Sequence, residues 1–134
     1  MKNSLFLISI LILAGCTAQI TSATIHNITI PLEVAITPEQ HTQGLMFRTN
    51  ITGGMLFPYS DEKPRVFWMK NTVIPLDMIF IDAHNKIVTI HHAVPCKIDP
   101  CKVYPSNPAQ YVLEVNGNFT TENNINIGDS VTFT

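Results

Sequence analysis

Turn-forming residues interrupt this sequence at intervals of about eight to twelve residues, a rhythm that confines the chain to short strands. Residues 24–35 are rich in β-branched side chains and are expected to form one strand, with Pro31 favouring an edge position. A short helix follows. Thr37-Pro38-Glu39-Gln40 places an N-cap threonine before a proline in the first turn, with Gln40 at the reciprocal capping position, and Gly44 marks its end. Residues 47–54, with Asn50 and the Gly53-Gly54 pair, have loop chemistry. Residues 55–57 are expected as a short apolar strand stopped by Pro58, and 59–64 as a charged turn. Two apolar and aromatic stretches, 65–70 and 76–82, flank the polar Asn71-Thr72 and Pro75. Ala83-His84-Asn85-Lys86 then has the length and residues of a hairpin turn leading into 87–94. Residues 110–115 alternate as a half-buried strand should, Asn116-Gly117-Asn118 turns the chain back, and a last strand covers 130–133. The expectation is a mainly β, single-domain β-sandwich or distorted barrel of about seven short strands with one short helix.

The N-terminus carries a different signal. Lys2 is a minimal positive region, residues 5–14 form an apolar run, and Leu13-Ala14-Gly15-Cys16 closes it. That run matches a secretory leader and falls well short of the roughly twenty residues a membrane span needs. The closing string resembles the lipobox of bacterial and similar archaeal lipoproteins, in which the cysteine is acylated through its sulfur. Residues 1–16 are therefore expected to be a lipoprotein-type signal peptide with Cys16 as the lipidation site, 17–23 a small polar tether, and 24–134 a single β-rich domain. The expected location is the extracytoplasmic face of a membrane, lipid-anchored, or secreted if Cys16 is not lipidated. Of the 134 residues, about 120 remain after the leader is removed, enough for one core and too few for two domains. The formal charge is −2, and loss of Lys2 leaves 7 basic against 10 acidic residues. With no basic cluster, a nucleic-acid partner is disfavoured.

With Cys16 assigned to the lipid, Cys96 and Cys101 remain, in a proline-rich loop. In an oxidising compartment their simplest state is a local disulfide. Their spacing is wider than the CxxC of redox enzymes, and a zinc site would lack ligands, with only His91 and His92 nearby in sequence. A bridge over so short a loop removes little chain entropy, so its expected purpose is to fix loop shape. Asn27, Asn50 and Asn118 head Asn-x-Thr sequons, which export would open to glycosylation.

Several strings carry a family resemblance. They are Gly44-Leu45-Met46-Phe47-Arg48, Gly54-Met55-Leu56-Phe57, Phe67-Trp68-Met69-Lys70-Asn71-Thr72, Ile74-Pro75-Leu76-Asp77-Met78 and Phe80-Ile81-Asp82. Pro108-Ala109, Tyr111-Val112-Leu113-Glu114 and Gly128-Asp129 follow in the same order. Together they closely resemble the "domain of unknown function 192" family over about residues 30–133. The resemblance implies a compact, mainly β fold of the sandwich type, common in exported or lipid-anchored proteins, and it implies no reaction. The chain departs from the commoner pattern at Asn116-Gly117 and in the Cys96/Cys101 pair.

The polar residues set inside apolar strings are Arg48, Lys70, Asn71, Thr72 and Asp77. Buried polar groups need partners or cost a few kcal/mol each. On one reading Arg48 or Lys70 pairs with Asp77, Asn71 and Thr72 cap the turn before Pro75, and the group locks the fold. On the other, Trp68 and Met69 floor a cleft whose rim donors are Lys70, Asn71 and Arg48, and an exposed Trp68 stacks on a sugar face. Catalysis has less support. Asp77 and Asp82 lie on opposite faces if their strand alternates, and no Gly-x-Ser-x-Gly occurs. Adjacent His91 and His92 diverge, one toward the core and one toward solvent. Met46, Met55, Met69 and Met78 could serve as soft copper(I) ligands, but core packing accounts for them more simply. No cofactor and no metal are expected.

The leading functional expectation is a membrane-anchored extracytoplasmic domain that binds a small ligand, a glycan or an envelope partner. The runner-up is an envelope hydrolase using Asp77 with Lys70 or Arg48. A third is a structural accessory that exposes one sizeable apolar patch.

Overall fold

The computed structural model describes residues 18–134; the leader, Cys16 and Thr17 lie outside the described residues. The structure is mainly β, with strands β1 (Ser22–Ile25), β2 (Ile28–Val34), β3 (Gly54–Lys63), β4 (Val66–Trp68), β5 (Leu76–Ile81), β6 (Ile87–Ala93), β7 (Val103–Pro105), β8 (Ala109–Asn116) and β9 (Val131–Phe133). Two short helices, α1 (Pro38–Gln43) and α2 (Phe119–Glu122), complete it. Among the described residues no helix is long and apolar enough to cross a membrane.

Seven strands form one sheet in the order β6-β5-β8-β3-β2-β1-β9, and β4 pairs with β7 as a separate ribbon. Of the two expected arrangements, the sheet takes the barrel-like one. It curls until its edges touch, with Lys86 and Ser130 forming a bridge and the Ile87 amide donating to the Asp129 carbonyl at 2.9 Å. The Val131 amide donates to the Asn85 carbonyl at 2.9 Å, so the two edge strands are fastened at one end.

The middle of this half-barrel is buried on both faces. All six residues of β5 are buried, and alternation sends Leu76, Met78 and Phe80 to one core and Ile79 and Ile81 to the other. The first core, on the side of α1 and the β4-β7 ribbon, includes Phe57, Met55, Met69, Tyr104 and Val112. The second, inside the curl, includes Ile25, Ile30, Leu56, Leu113, Val115 and Val131. Full burial of each large side chain contributes roughly 1.5–3 kcal/mol.

Local chemistry explains both agreement and departure. The Thr37–Gln40 capping box forms, with Gln40 N on Thr37 Oγ1 at 3.2 Å and Thr37 N on Gln40 Oε1 at 2.9 Å, and Gly44 ends α1 at φ 46°. The 83–86 hairpin also forms, with Asp82 Oδ1 accepting from the His84 and Lys86 amides at 2.9 and 2.8 Å. Residues 24–35, by contrast, are a hairpin, because His26 takes a left-handed turn at φ 53°. Its first strand begins at Ser22, so Ser22 and Ala23 at the end of the expected tether are paired strand residues. Pro31 is not on an edge. It sits at the handover between the β1 ladder, which ends at the Ser22–Pro31 pair, and the β3 ladder, which begins at Leu32–Gly54. Pro58 does not stop β3, because β2 accompanies β3 only as far as Leu56 while pairing with β8 continues through Tyr111, past which the register shifts. The expected charged turn at 59–64 is thus mostly strand. Two short elements, β7 and α2, arise where only loops are expected.

Gly53, at φ 75°, lets the loop before β3 pass over β2, and a Cβ there would fall 2.1 Å from the Pro31 carbonyl oxygen. Both the backbone angle and the contact exclude a side chain. Gly53→Ala is expected to lower the unfolding free energy by about 2–4 kcal/mol, measured by urea denaturation.

Candidate functional site

The residues expected to share a site are divided by the sheet. Asp77 faces the inner core and is fully buried. Its Oδ2 accepts from Thr120 N at 2.8 Å and Thr120 Oγ1 at 2.6 Å, and its Oδ1 contacts His92 Nδ1 at 2.9 Å and accepts from Asn118 N at 3.2 Å. Burial pushes its carboxyl up, but the Thr120 bonds and His92 outweigh this and hold it below the usual carboxylate range. Asp77 therefore anchors the start of α2. The expected pairing of Asp77 with Arg48 or Lys70 does not form, because those residues lie on the other side of the sheet.

Arg48 turns instead to β2, where its guanidinium donates to both Glu33 oxygens at 2.8 and 2.7 Å. That hydrogen bonding lowers Glu33 and raises Arg48 in pKa. Both side chains are substantially exposed, so the pair contributes at most about 1 kcal/mol. Asn71 is a fastener. In a left-handed conformation at φ 56°, it offers its carbonyl to the Phe47 amide at 2.8 Å, and its Nδ2 meets Met46 Sδ at 3.9 Å. The segment after α1 is thereby tied to the turn after β4.

Between these two tied segments lies a cavity of about 40 Å³. One wall is the end of α1 with Leu45 and Met46; the other is Phe67, Trp68, Lys70 and Thr72; Phe57 and Glu114 come from the sheet beneath. Trp68, 48% exposed, stands on β4, whose outer face also exposes Val66 and, across the ribbon, Val103. Lys70 Nζ lies 5.5 Å from the centre of the Trp68 ring and 3.8 Å from Asp99 in the Cys96–Cys101 loop. Of the five expected residues, the structure brings Trp68 and Lys70 to the cavity and leaves Arg48, Asn71 and Asp77 outside its lining.

Glu114 is the residue that sequence reasoning missed. It sits in β8 opposite Met55 of β3 and Met78 of β5, and only 5% of it is exposed. Among the described residues nothing donates a hydrogen bond to its carboxyl and no sealed side-chain oxygen lacks a partner, so the carboxyl oxygens open onto the cavity. Burial alone, with no charged neighbour offsetting it, pushes the carboxyl up to about 8. A signal was available: Val112-Leu113-Glu114-Val115 is apolar in both strand parities, so a glutamate there has no solvent face.

The remaining candidates have local explanations. His91 Nε2 lies 2.7 Å from the Pro105 carbonyl, and its ring meets Phe80 and Tyr104 edge-on. Met55, Met69 and Met78 are buried in the first core, and Met46 lines the cavity. Cys96 and Cys101 are at disulfide distance, 2.05 Å, so together with nearby Asp99 they present no thiolate to a metal. Asn27, Asn50 and Asn118 are all exposed.

Comparison with known proteins agrees with this architecture. The pattern of the family described as "DUF192: Uncharacterized ACR" matches residues 18–133. A crystal structure of a candidate transcription regulator from Sinorhizobium meliloti is 34% identical and superposes with a TM-score of 0.75, covering 84% of this chain and 90% of that one. A protein of unknown function from Novosphingobium aromaticivorans is 33% identical, with a TM-score of 0.76 and 89% of each chain covered. Among curated proteins no match is found.

A raised carboxyl pKa makes the native state bind more protons than the unfolded chain between the two pKa values, so stability falls as pH rises. Glu114 contributes that stability fully below its ordinary 4.5, and it is lost as pH rises through about 8. Glu114→Gln is expected to match the wild type in Tm near pH 4.5 and to exceed it above pH 8, removing a loss of a few kcal/mol. Parallel melting curves across that range check it.

Proposed function

Because the chain belongs to the DUF192 family, which brings no assigned reaction with it, we propose from its own geometry that the protein is a lipid-anchored, extracytoplasmic binding domain whose small ligand enters the cavity between Trp68 and Glu114. The observation that carries this is Glu114. A buried carboxyl without a partner costs stability that an apolar residue would spare, and such a cost is retained where a ligand uses the group. The lining mixes apolar side chains with polar groups, among them His41, Gln43, Lys70 and Thr72, and a half-exposed tryptophan stands at the mouth. The export reading is supported by the leader ending at Cys16 and by the close Cys96–Cys101 pair, a state that an oxidising compartment maintains.

Two measurements test these parts separately. A thermal-shift screen of envelope sugars, peptides and small metabolites is expected to yield at least one stabilising ligand whose effect disappears in Trp68→Ala and in Glu114→Gln. A shift unchanged in both variants, or no shift with any compound, overturns the binding site. Mass spectrometry of the mature protein is expected to find an acylated Cys16 at the N-terminus, and an unmodified Cys16 overturns the anchor.

A further inference from the structure

We infer that the Glu114 cavity takes a compact primary ammonium group, with Glu114 as its counter-charge and the surrounding rings as its walls. This inference rests on the binding role proposed above and specifies its chemistry. Three features converge on it.

The first is the inventory of hydrogen-bonding groups. An ionised Glu114 needs donors and positive charge, and among the described residues no side chain or amide supplies either to it. The ionisable groups that line the same cavity are His41 from α1 and Lys70 from the turn after β4. Neither is aimed at the carboxyl. His41 packs edge-on against Phe57 and Tyr59, and the Lys70 ammonium is held at the rim by Trp68 and Asp99. Arg65, beyond Tyr59, is committed to the Ala109 carbonyl at 3.1 Å and to Asp61 at 2.9 Å. The missing charge and donors must come from outside the described residues.

The second is the character of the walls. Phe57, Phe67 and Trp68 contribute aromatic rings and Met46 a thioether. An aromatic ring that turns its face to the cavity attracts a cation. Lys70 also lines the cavity, but its ammonium is already matched by Asp99 at 3.8 Å.

The third is size. About 40 Å³ holds a few water-sized groups, which fits an ammonium and its first methylene. A sugar ring does not fit inside. The expected glycan would be restricted to the outer face of Trp68, whereas an amine reaches Glu114.

The test uses the whole mature chain and methylammonium chloride as the probe, with acetamide and acetate as neutral and anionic controls of similar size. Binding is followed by chemical-shift changes of the Phe57, Phe67 and Trp68 resonances. Methylammonium is expected to bind at least about tenfold more tightly than acetamide or acetate, the margin of a lost charge-assisted bond. Its affinity should rise by at least about tenfold between pH 6 and pH 8, as the free carboxyl becomes ionised more readily. Both effects should vanish in Glu114→Gln. If that variant does not fold, the wild-type pH profile and the contrast among the three probes decide the matter. No response to methylammonium, or an equal response to all three, overturns the ammonium assignment. Glu114-dependent binding of acetamide or acetate alone also overturns it, yet leaves the cavity as the ligand site; failure of the broader screen removes the site itself.

Discussion

Burial of the central strands on both faces is the constraint from which the rest of the structure follows. β3, β8 and β5 lie side by side, and their side chains feed one core through one face and a second core through the other. A polar group placed in their buried stretches, 54–57, 76–81 and 112–115, is committed to the interior. Two carboxyls are so placed, and they have opposite fates because the pleat sends them to opposite faces. Asp77 meets the first turn of α2 and is saturated with donors. Glu114 lines a cavity together with aromatic rings, and among the described residues no donor reaches it. The same physics that makes one a structural anchor leaves the other available.

That contrast also separates the functional readings. A carboxyl held ionised by fixed hydrogen bonds, as Asp77 is, has no proton-binding task left at neutral pH. A carboxyl raised by desolvation alone sits near the pH at which a small change in its surroundings changes its charge. A ligand that brings a positive group into the cavity would ionise Glu114 and gain a charge-assisted bond away from bulk water. Trp68 on the β4-β7 ribbon and Asp99 in the loop closed by Cys96 and Cys101 hold the Lys70 ammonium between them.

Much of the fold was legible in the sequence because local chemistry and tertiary packing agree there. The Thr37–Gln40 box, Gly44, and the Asp82–Lys86 turn are set by nearby residues, and each forms as expected. Where pairing partners decide, the local signals misled. Pro31 and Pro58 looked like strand limits, but both fall where one neighbouring ladder begins or ends, so their missing amide is tolerated inside the sheet. The site was half legible. Trp68 and Lys70 are found at the cavity because they adjoin each other on β4 and its following turn. Sequence motif alone groups Arg48 and Asp77 with them; strand alternation sends Asp77 to the other face of the sheet, and Glu33 of β2 draws Arg48 aside. Glu114 escaped because the alternating reading of 110–115 gives it a solvent face, against the local signal of Val112, Leu113 and Val115 around it.

The central claim is that Glu114 is a desolvated, unpartnered carboxyl. Its most direct test is a ¹³C NMR titration of the side-chain carboxyl in glutamate-labelled protein, with the resonance assigned by its loss in Glu114→Gln. The account predicts an apparent pKa of about 8 in the ligand-free protein. Titration at the ordinary value of 4.5 or below would show that the carboxyl is solvated or paired, and would contradict it.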